Sequence, residues 1–411
     1  MIQRVDQSAD PVDAASHQLT RWVIAGWLSG IEGPAQPIWV LQRDISEGGG
    51  VTPRLECGAR ISPITGIQVA RECHPLEQGI QGLIGRNYGL GDVHRRTVAL
   101  MTPKGMHALA IDDFLSLSPV QARAMLSDWL ATFVAGGEGP QAAAKHAVAS
   151  VMEGIDEAAV AQTMATFRDA GSHYGFFDAD PAARQVIRAY LQSFCEGSTI
   201  SGVQNLRAAV QDGPVLLLCN HLAYCDTVLK DMLLAQAGAA ELADRLPAVA
   251  GPKVYETPFR RMASLAIGTL KTAQSTAIAH SQTSLTPRQV AEIAVGTMRT
   301  AHSLMRDGYL IVLYGEGSRS RNQRLGPFIK AIRKYAKMDG VQLVPLALSG
   351  TAEVMPVGQL LMHPGQVHLE IGSPISTAEH GAAAAVEQCW HTIAELLPSR
   401  HQPSSGTAVW R

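Results

Sequence analysis

The chain has 411 residues, of which 46% are hydrophobic and 17% charged, with a formal net charge of -2. That length and apolar content suffice for a sizeable core and exclude a disordered tail. The near-neutral charge excludes a broad basic face for non-specific nucleic-acid binding, though not a local basic patch. Cys57, Cys73, Cys195, Cys219, Cys225 and Cys389 form no Cys-x-x-Cys pair and no zinc-finger spacing, a pattern that fits reduced thiols and no metal site. The start, MIQRVDQSAD, lacks the apolar core of a signal peptide, and no run of about 18 apolar residues is present. The expected location is cytoplasmic, either soluble or peripheral on the inner face of the membrane.

In chain order, residues 1–110 give no readable chemistry. They hold Trp22, Trp27 and Trp39, a glycine run at Gly48, Gly49 and Gly50 followed by Pro53, and a glycine-rich stretch from Gly79 to Gly91. The tryptophans are read as a buried cluster. The alternative is an interfacial role, shared with Pro258, Phe259, Arg260 and Arg261. Residues 111–196 space their apolar positions three and four apart, as in SPVQARAMLSDWLATFVAG and PAARQVIRAYLQSF, which predicts a helical bundle. Ser-Pro and Gly-Pro pairs mark helix starts there.

The pattern changes near Glu196. Short apolar runs at 215–219 (VLLLC), 248–250, 309–314 (YLIVLY), 341–348 (VQLVPLAL) and 367–371 (VHLEI) alternate with helical stretches, notably 287–306. Continuously apolar strands separated by helices predict an α/β domain over 197–398, a mixed and largely buried sheet flanked by helices. The Ser/Gly/Pro-rich residues 399–411 are expected to be a loose tail.

His221 and Asp226 stand five positions apart just beyond VLLLC. The spacing alone is weak, because His107 with Asp112, His173 with Asp178 and His302 with Asp307 share it. Position separates them: groups just past the carboxyl end of a strand in an open α/β sheet are placed for chemistry. On one continuous helix, five residues would turn the two side chains about 140° apart. They meet only if His221 precedes a helix whose first turn holds Asp226. There an Asp holds one imidazole nitrogen and frees the other to take a proton. The competing reading is a buried, purely structural His–Asp pair. Cys225, beside His221, is a second candidate nucleophile, and Cys219 a weaker one.

The segment YLIVLYGEGSRSR ends a strand and opens a polar turn. Gly315 and Gly317 permit tight backbone geometry. Glu316, Ser318, Arg319, Ser320 and Arg321 gather at one spot, where backbone N–H groups and arginines suit a phosphate. A solvated turn with an Arg–Glu salt bridge is the plainer alternative. Together the two strand ends offer an oriented base and anion-binding cations at one edge of a sheet.

On these residues the chain resembles the lysophospholipid acyltransferase superfamily, which includes glycerol-3-phosphate and 1-acylglycerol-3-phosphate acyltransferases. HLAYCD (residues 221–226) is similar to its His-x4-Asp block, and Glu316, Gly317, Ser318, Arg319 and Ser320 to its Glu-Gly-Thr-Arg-Ser block. Lys253 through Pro258 to Lys271 loosely follows the block between them, and Val344 with Pro345 a later Val-Pro block. The resemblance implies that His221 deprotonates an acceptor hydroxyl, which attacks the thioester of acyl-CoA or acyl-carrier protein. It implies that Asp226 orients His221, and that Glu316, Gly317, Ser318, Arg319 and Lys271 bind the acceptor. No metal and no cofactor beyond the acyl thioester are implied, and there is no Gly-x-Ser-x-Gly elbow. The chain departs from the family at Gly315, where a Pro is usual, at Ser318 for Thr, and at Lys271, where an Arg holds the acceptor phosphate. Lys does not replace Arg at a bidentate site. Two alternatives therefore stand: the same chemistry on a sugar, amino alcohol or secondary metabolite, or thioester hydrolysis. A silent lipid-binding module is the non-enzymatic reading.

Overall fold

The computed structural model describes residues 111–273 and 285–411 throughout, together with the backbone of five strands among the first 69 residues. Those strands are β1 (Ile2–Arg4), β2 (Thr20–Ile24), β3 (Ile38–Ile45), β4 (Val51–Ser62) and β5 (Gly66–Val69). They pair in chain order as an antiparallel meander. Residues 1–97 and 98–411 form two separate units. The side chains of Trp22, Trp27 and Trp39, the 79–91 stretch and His107 lie outside the described residues.

In the second unit, helical periodicity gives α1 (Pro119–Ala131), α2 (Glu138–Glu153), α3 (Glu157–Asp169) and α4 (Pro181–Gln192). Ser118 caps α1 by accepting from the Gln121 N–H, while Pro119 occupies the first turn, where its missing N–H costs nothing. Asp156 and Asp180 cap α3 and α4 in the same manner.

Beyond β6 (Gly175–Phe177) and β7 (Thr199–Ser201), the chain alternates as expected. α5 (Val203–Asp212), β8 (Val215–Cys219) and α6 (Asp226–Gln236) come first. They are followed by β9 (Ala248–Ala250), α7 (Pro258–Ile267), β10 (Thr269–Lys271), α8 (Pro287–Arg306) and β11 (Ile311–Tyr314). β12 (Gln342–Ser349), β13 (His368–Ile371), β14 (Ile375–Ser376) and α9 (Ala382–Leu396) complete the unit. The sheet order is β6-β10-β9-β11-β8-β12-β13-β7, with β14 also on β12. β10, β9, β11, β8 and β12 run parallel, whereas β6 is antiparallel to β10 and β13 to β12, and β7 runs parallel to β13. Every residue of β8 and of β12 is buried, because helices cover both faces, so these strands read as unbroken apolar runs.

The structure differs from the expected division at two places. The helical segment is not a separate bundle. Its β6 is the edge strand of the sheet, and one core joins Trp129, Phe167 and Tyr190 to Leu217, Val344 and Leu369. Arg188 of α4 makes a two-pronged pair with buried Asp231 of α6 at 2.7 and 2.8 Å, and Arg184 donates to the Ala266 carbonyl. Nor is the tail loose. The Leu325 N–H donates to the His401 carbonyl and the Phe328 N–H to that of Val409, and His401 is fully buried. Its Ser/Gly/Pro composition predicts looseness, but backbone pairing and one buried imidazole override it. Among the described residues no helix is long and apolar enough to cross a membrane.

Candidate active site

β8 carries the chain into the site. Asn220, the residue after the strand, exchanges two hydrogen bonds of 2.9 Å with the backbone of Leu348, which extends the β8–β12 pairing by a side chain. His221 follows and turns out of the sheet, its side chain 17% exposed. Asp226 opens α6 and is fully buried. Its Oδ2 accepts the His221 Nδ1–H and the Leu222 N–H, each at 2.8 Å, while Oδ1 accepts the Ala223 N–H at 3.0 Å. Three donors on one carboxylate fix its geometry and favour its ionised form. Burial pushes this carboxyl up, but His221, Lys230 and the bonds it accepts outweigh that and hold it below the usual range.

With Nδ1–H committed to Asp226, Nε2 is the free nitrogen and has no partner among the described residues. Burial pulls the His221 pKa below 6.5, Asp226 opposes this, and Lys230 and Arg319 push it lower still. The imidazole is therefore neutral, with a lone pair available, through the physiological range. Of the spacing pairs that lie within the described residues, this alone is a bond. His302 Nε2 meets the Tyr335 carbonyl, and His173 lies against Phe177 while Asp178 accepts from Ala179.

β11 lies beside β8, so the arginine loop emerges next to His221. Glu316 joins the two: its Oε2 accepts the His221 N–H and its Oε1 the Gly326 N–H, both at 2.8 Å. The Ser320 N–H donates back to the His221 carbonyl at 2.7 Å. The Glu316 carboxyl is thus turned inward as a brace instead of outward to a ligand. Burial lifts its pKa to about 7, against the two amide donors that pull it down. Gly317 has φ +65°, in the left-handed region, and a side chain there would meet Ile329. Gly315 has a different reason: a Cβ would lie 2.1 Å from Cε1 of fully buried Phe328. The ring fills the space that any side chain at position 315 would take.

Five residues that the sequence reading did not assign to this site complete it. Tyr314 stacks on His221 with ring centroids 3.9 Å apart, and its hydroxyl meets Thr227 at 2.5 Å and fully buried Lys230 Nζ at 3.2 Å. Tyr224 carries two guanidiniums on its ring, Arg319 at 3.7 Å and Arg260 at 4.3 Å. Neither arginine makes an ion pair among the described residues, and the buried Arg260 Nε has no hydrogen-bond partner. A lysine inside the mostly apolar helix run TVLKDMLL was a visible signal; the meeting of Arg260 with Arg319 was not. Lys271 is not brought to this group. Its ammonium is taken by the Gly171 carbonyl and lies 5.0 Å from the Tyr174 ring and 5.5 Å from that of Tyr255, on a strand separated from β8 by β9 and β11. Cys219 and Cys225 are buried thiols pushed up, Cys219 to about 11, so neither supplies a thiolate nucleophile.

Residues 198–349 match the family described as Acyltransferase. The chain is 38% identical over 73 residues to the chloroplastic 1-acyl-sn-glycerol-3-phosphate acyltransferase BAT2 of Brassica napus, covering 18% of this chain and 21% of that protein. It is 37% identical over 84 residues to the chloroplastic 1-acyl-sn-glycerol-3-phosphate acyltransferase LPAT1 of Arabidopsis thaliana, covering 20% and 22%. The match thus spans about a fifth of these relatives' length. Among solved structures, the 1-acyl-sn-glycerophosphate acyltransferase PlsC of Thermotoga maritima is similar at a TM-score of 0.37 and 17% identity, over 52% of this chain and 81% of that one. The segment 198–349, which carries His221, Asp226 and the arginine loop, is thus the part of the chain that is similar to the Acyltransferase family.

Proposed function

We propose that the protein transfers an acyl group from a thioester donor, acyl-CoA or acyl-carrier protein, to the hydroxyl of a glycerol phosphate or lysophospholipid. The observation that carries this reading is the free Nε2 of a neutral His221, locked by Asp226 and set beside the unpaired guanidiniums of Arg260 and Arg319. In the reaction, Nε2 takes the proton of the acceptor hydroxyl as its oxygen attacks the thioester carbonyl. The tetrahedral intermediate then collapses, the C–S bond breaks, and the leaving thiolate recovers the proton from Nε2. Asp226 stabilises the transient imidazolium, and Tyr314 holds the ring from one face. The acceptor phosphate lies between Arg260 and Arg319, on a Tyr224 ring that presents both. Arg260 thereby supplies the second guanidinium that Lys271 does not.

A membrane-borne acceptor also needs a surface from which it enters. Val357, Leu360 and Leu361 are exposed apolar side chains on the loop that leaves β12 at the same sheet edge as His221. This loop suits contact with the inner leaflet of a bilayer.

An acyl-CoA and acyl-carrier-protein assay with a panel of acceptors tests the reading. Thiol release should depend on glycerol 3-phosphate or lysophosphatidate, and His221→Ala should slow it about 10²–10⁴-fold, the usual worth of a general base. Release without any acceptor would make the protein a thioester hydrolase. Full activity in His221→Ala would remove the base assignment.

A further inference from the structure

The arginine loop also forms one wall of a groove of about 640 Å³. Arg319, Arg321 and Arg324 line that wall, and Ser404, Thr407 and Arg411 of the C-terminal segment line the other. The second wall is built, not draped. The Arg411 N–H donates to the Phe328 carbonyl at 3.1 Å and its Nη2 to the Glu316 carbonyl at 2.6 Å. His401 Nδ1 meets the Gln323 carbonyl at 2.6 Å, and the Arg333 guanidinium lies 3.9 Å over the Trp410 ring. His401, Ser404, Thr407, Trp410 and Arg411 fall outside the matched family segment 198–349.

Among the described residues, none of the four arginines has a carboxylate ion-pair partner. Glu316, the acid in the groove wall, spends both carboxyl oxygens on backbone amides. Arg324 and Arg411 each use a single guanidinium nitrogen on main-chain carbonyls, and exposed Arg321 uses none. Four cations gathered beside a single inward-turned carboxyl, that of Glu316, repel one another until an anion enters. The volume fits a small molecule and far exceeds one phosphate.

We propose that this groove takes the phosphate groups of a coenzyme A-type acyl donor, with Arg321 and Arg411 as donor-specific contacts. The proposal rests on the acyl-transfer reading. An acceptor with a single phosphate is already met by Arg260 and Arg319. The groove adds three further guanidiniums, which match a ligand carrying several phosphates better than the lone phosphodiester on a carrier protein's arm.

The test uses the full chain and the variants Arg321→Ala, Arg411→Ala and both together. Calorimetric titration with free coenzyme A and with pantetheine gives binding. Steady-state assays with acyl-CoA and with acyl-pantetheine, which lacks the nucleotide, give the donor preference. Each substitution should weaken coenzyme A binding about tenfold or more, the worth of a charge-assisted hydrogen bond. The preference for acyl-CoA over acyl-pantetheine should fall by the same factor. An unchanged preference, or a rise confined to the acceptor KM, overturns the proposal. Arg321→Ala keeps the test decisive if loss of Arg411 unseats the tail, since Arg321 holds nothing else in place. If the wild type binds coenzyme A but acylates no acceptor, the acyl-transfer reading fails and the groove stands. If acyl transfer proceeds and the double variant still binds coenzyme A as the wild type does, the groove alone fails.

Discussion

At the scale of single residues, the site is a set of commitments that leaves one imidazole nitrogen unclaimed. Lys230 is the least expected member, an ammonium fully buried beneath Tyr314. It pushes protons off His221, together with burial and Arg319. In the proposed mechanism the acting form is the neutral imidazole, so activity should be present above the His221 pKa and lost as pH falls through it. Because that pKa lies below 6.5, the acid limb of the kcat/KM profile should lie below the ordinary imidazole range. Lys230→Met removes one of the depressing charges and should move that limb to higher pH. A limb that stays put would sever Lys230 from the base. Arg260 and Lys271 make a second contrast. Arg260→Ala should raise the acceptor KM about tenfold or more, as losing a hydrogen bond to a charged group does. Lys271→Met, whose ammonium is occupied elsewhere, should move it little; the reverse order would exchange their roles. The sequence made His221, Asp226 and Arg319 legible because each sits in a local pattern. It hid Arg260, because a meeting of two arginines on Tyr224 joins α7 to two strand ends and has no local signature.

At the scale of elements, the strands were the readable part, since burial on both faces leaves an unbroken apolar run such as LVPLAL in β12. The meander of β1 to β5 was not read, nor were the three-residue strands β6 and β7, which are too short to carry a period. The loop between β11 and the tail is set by contact more than by propensity. Gly315 admits the Phe328 ring, and Phe328 in turn pairs with Val409 and Arg411. Gly315→Ala forces a methyl into that ring and should cost about 1–3 kcal/mol or more, read as a lower midpoint in urea unfolding. An unchanged midpoint would mean that the ring yields freely. The exposed trio on the loop after β12 belongs to this scale as well. Leu360→Ser with Leu361→Ser should reduce sedimentation with anionic vesicles while leaving turnover of a water-soluble acceptor in place. Equal sedimentation of variant and wild type would detach that loop from the bilayer.

For the unit spanning residues 98–411, the helical segment and the sheet share one core, and a buried ion pair joins them. Sequence periodicity shows where helices are but not which sheet they cover, which is why a separate bundle was expected. Asp231 faces Arg188 and Arg184, both mostly buried. Asp231→Ala leaves those guanidiniums without their partner and should cost about 3–5 kcal/mol, lowering the melting temperature of the whole unit in a single transition. Two separated transitions would instead restore the helical segment as an independent domain.

The double clasp between His221 and the arginine loop bears on how this protein can be re-engineered. His221 donates its main-chain N–H to Glu316 and its carbonyl accepts from the Ser320 N–H, so the proposed base and the arginine loop share one rigid frame. A loop grafted from a relative to change acceptor preference would displace the base along with it. Altered specificity is better sought at Arg260, which reaches the same Tyr224 ring from α7 and donates its hydrogen bond to the Lys253 carbonyl, outside that clasp.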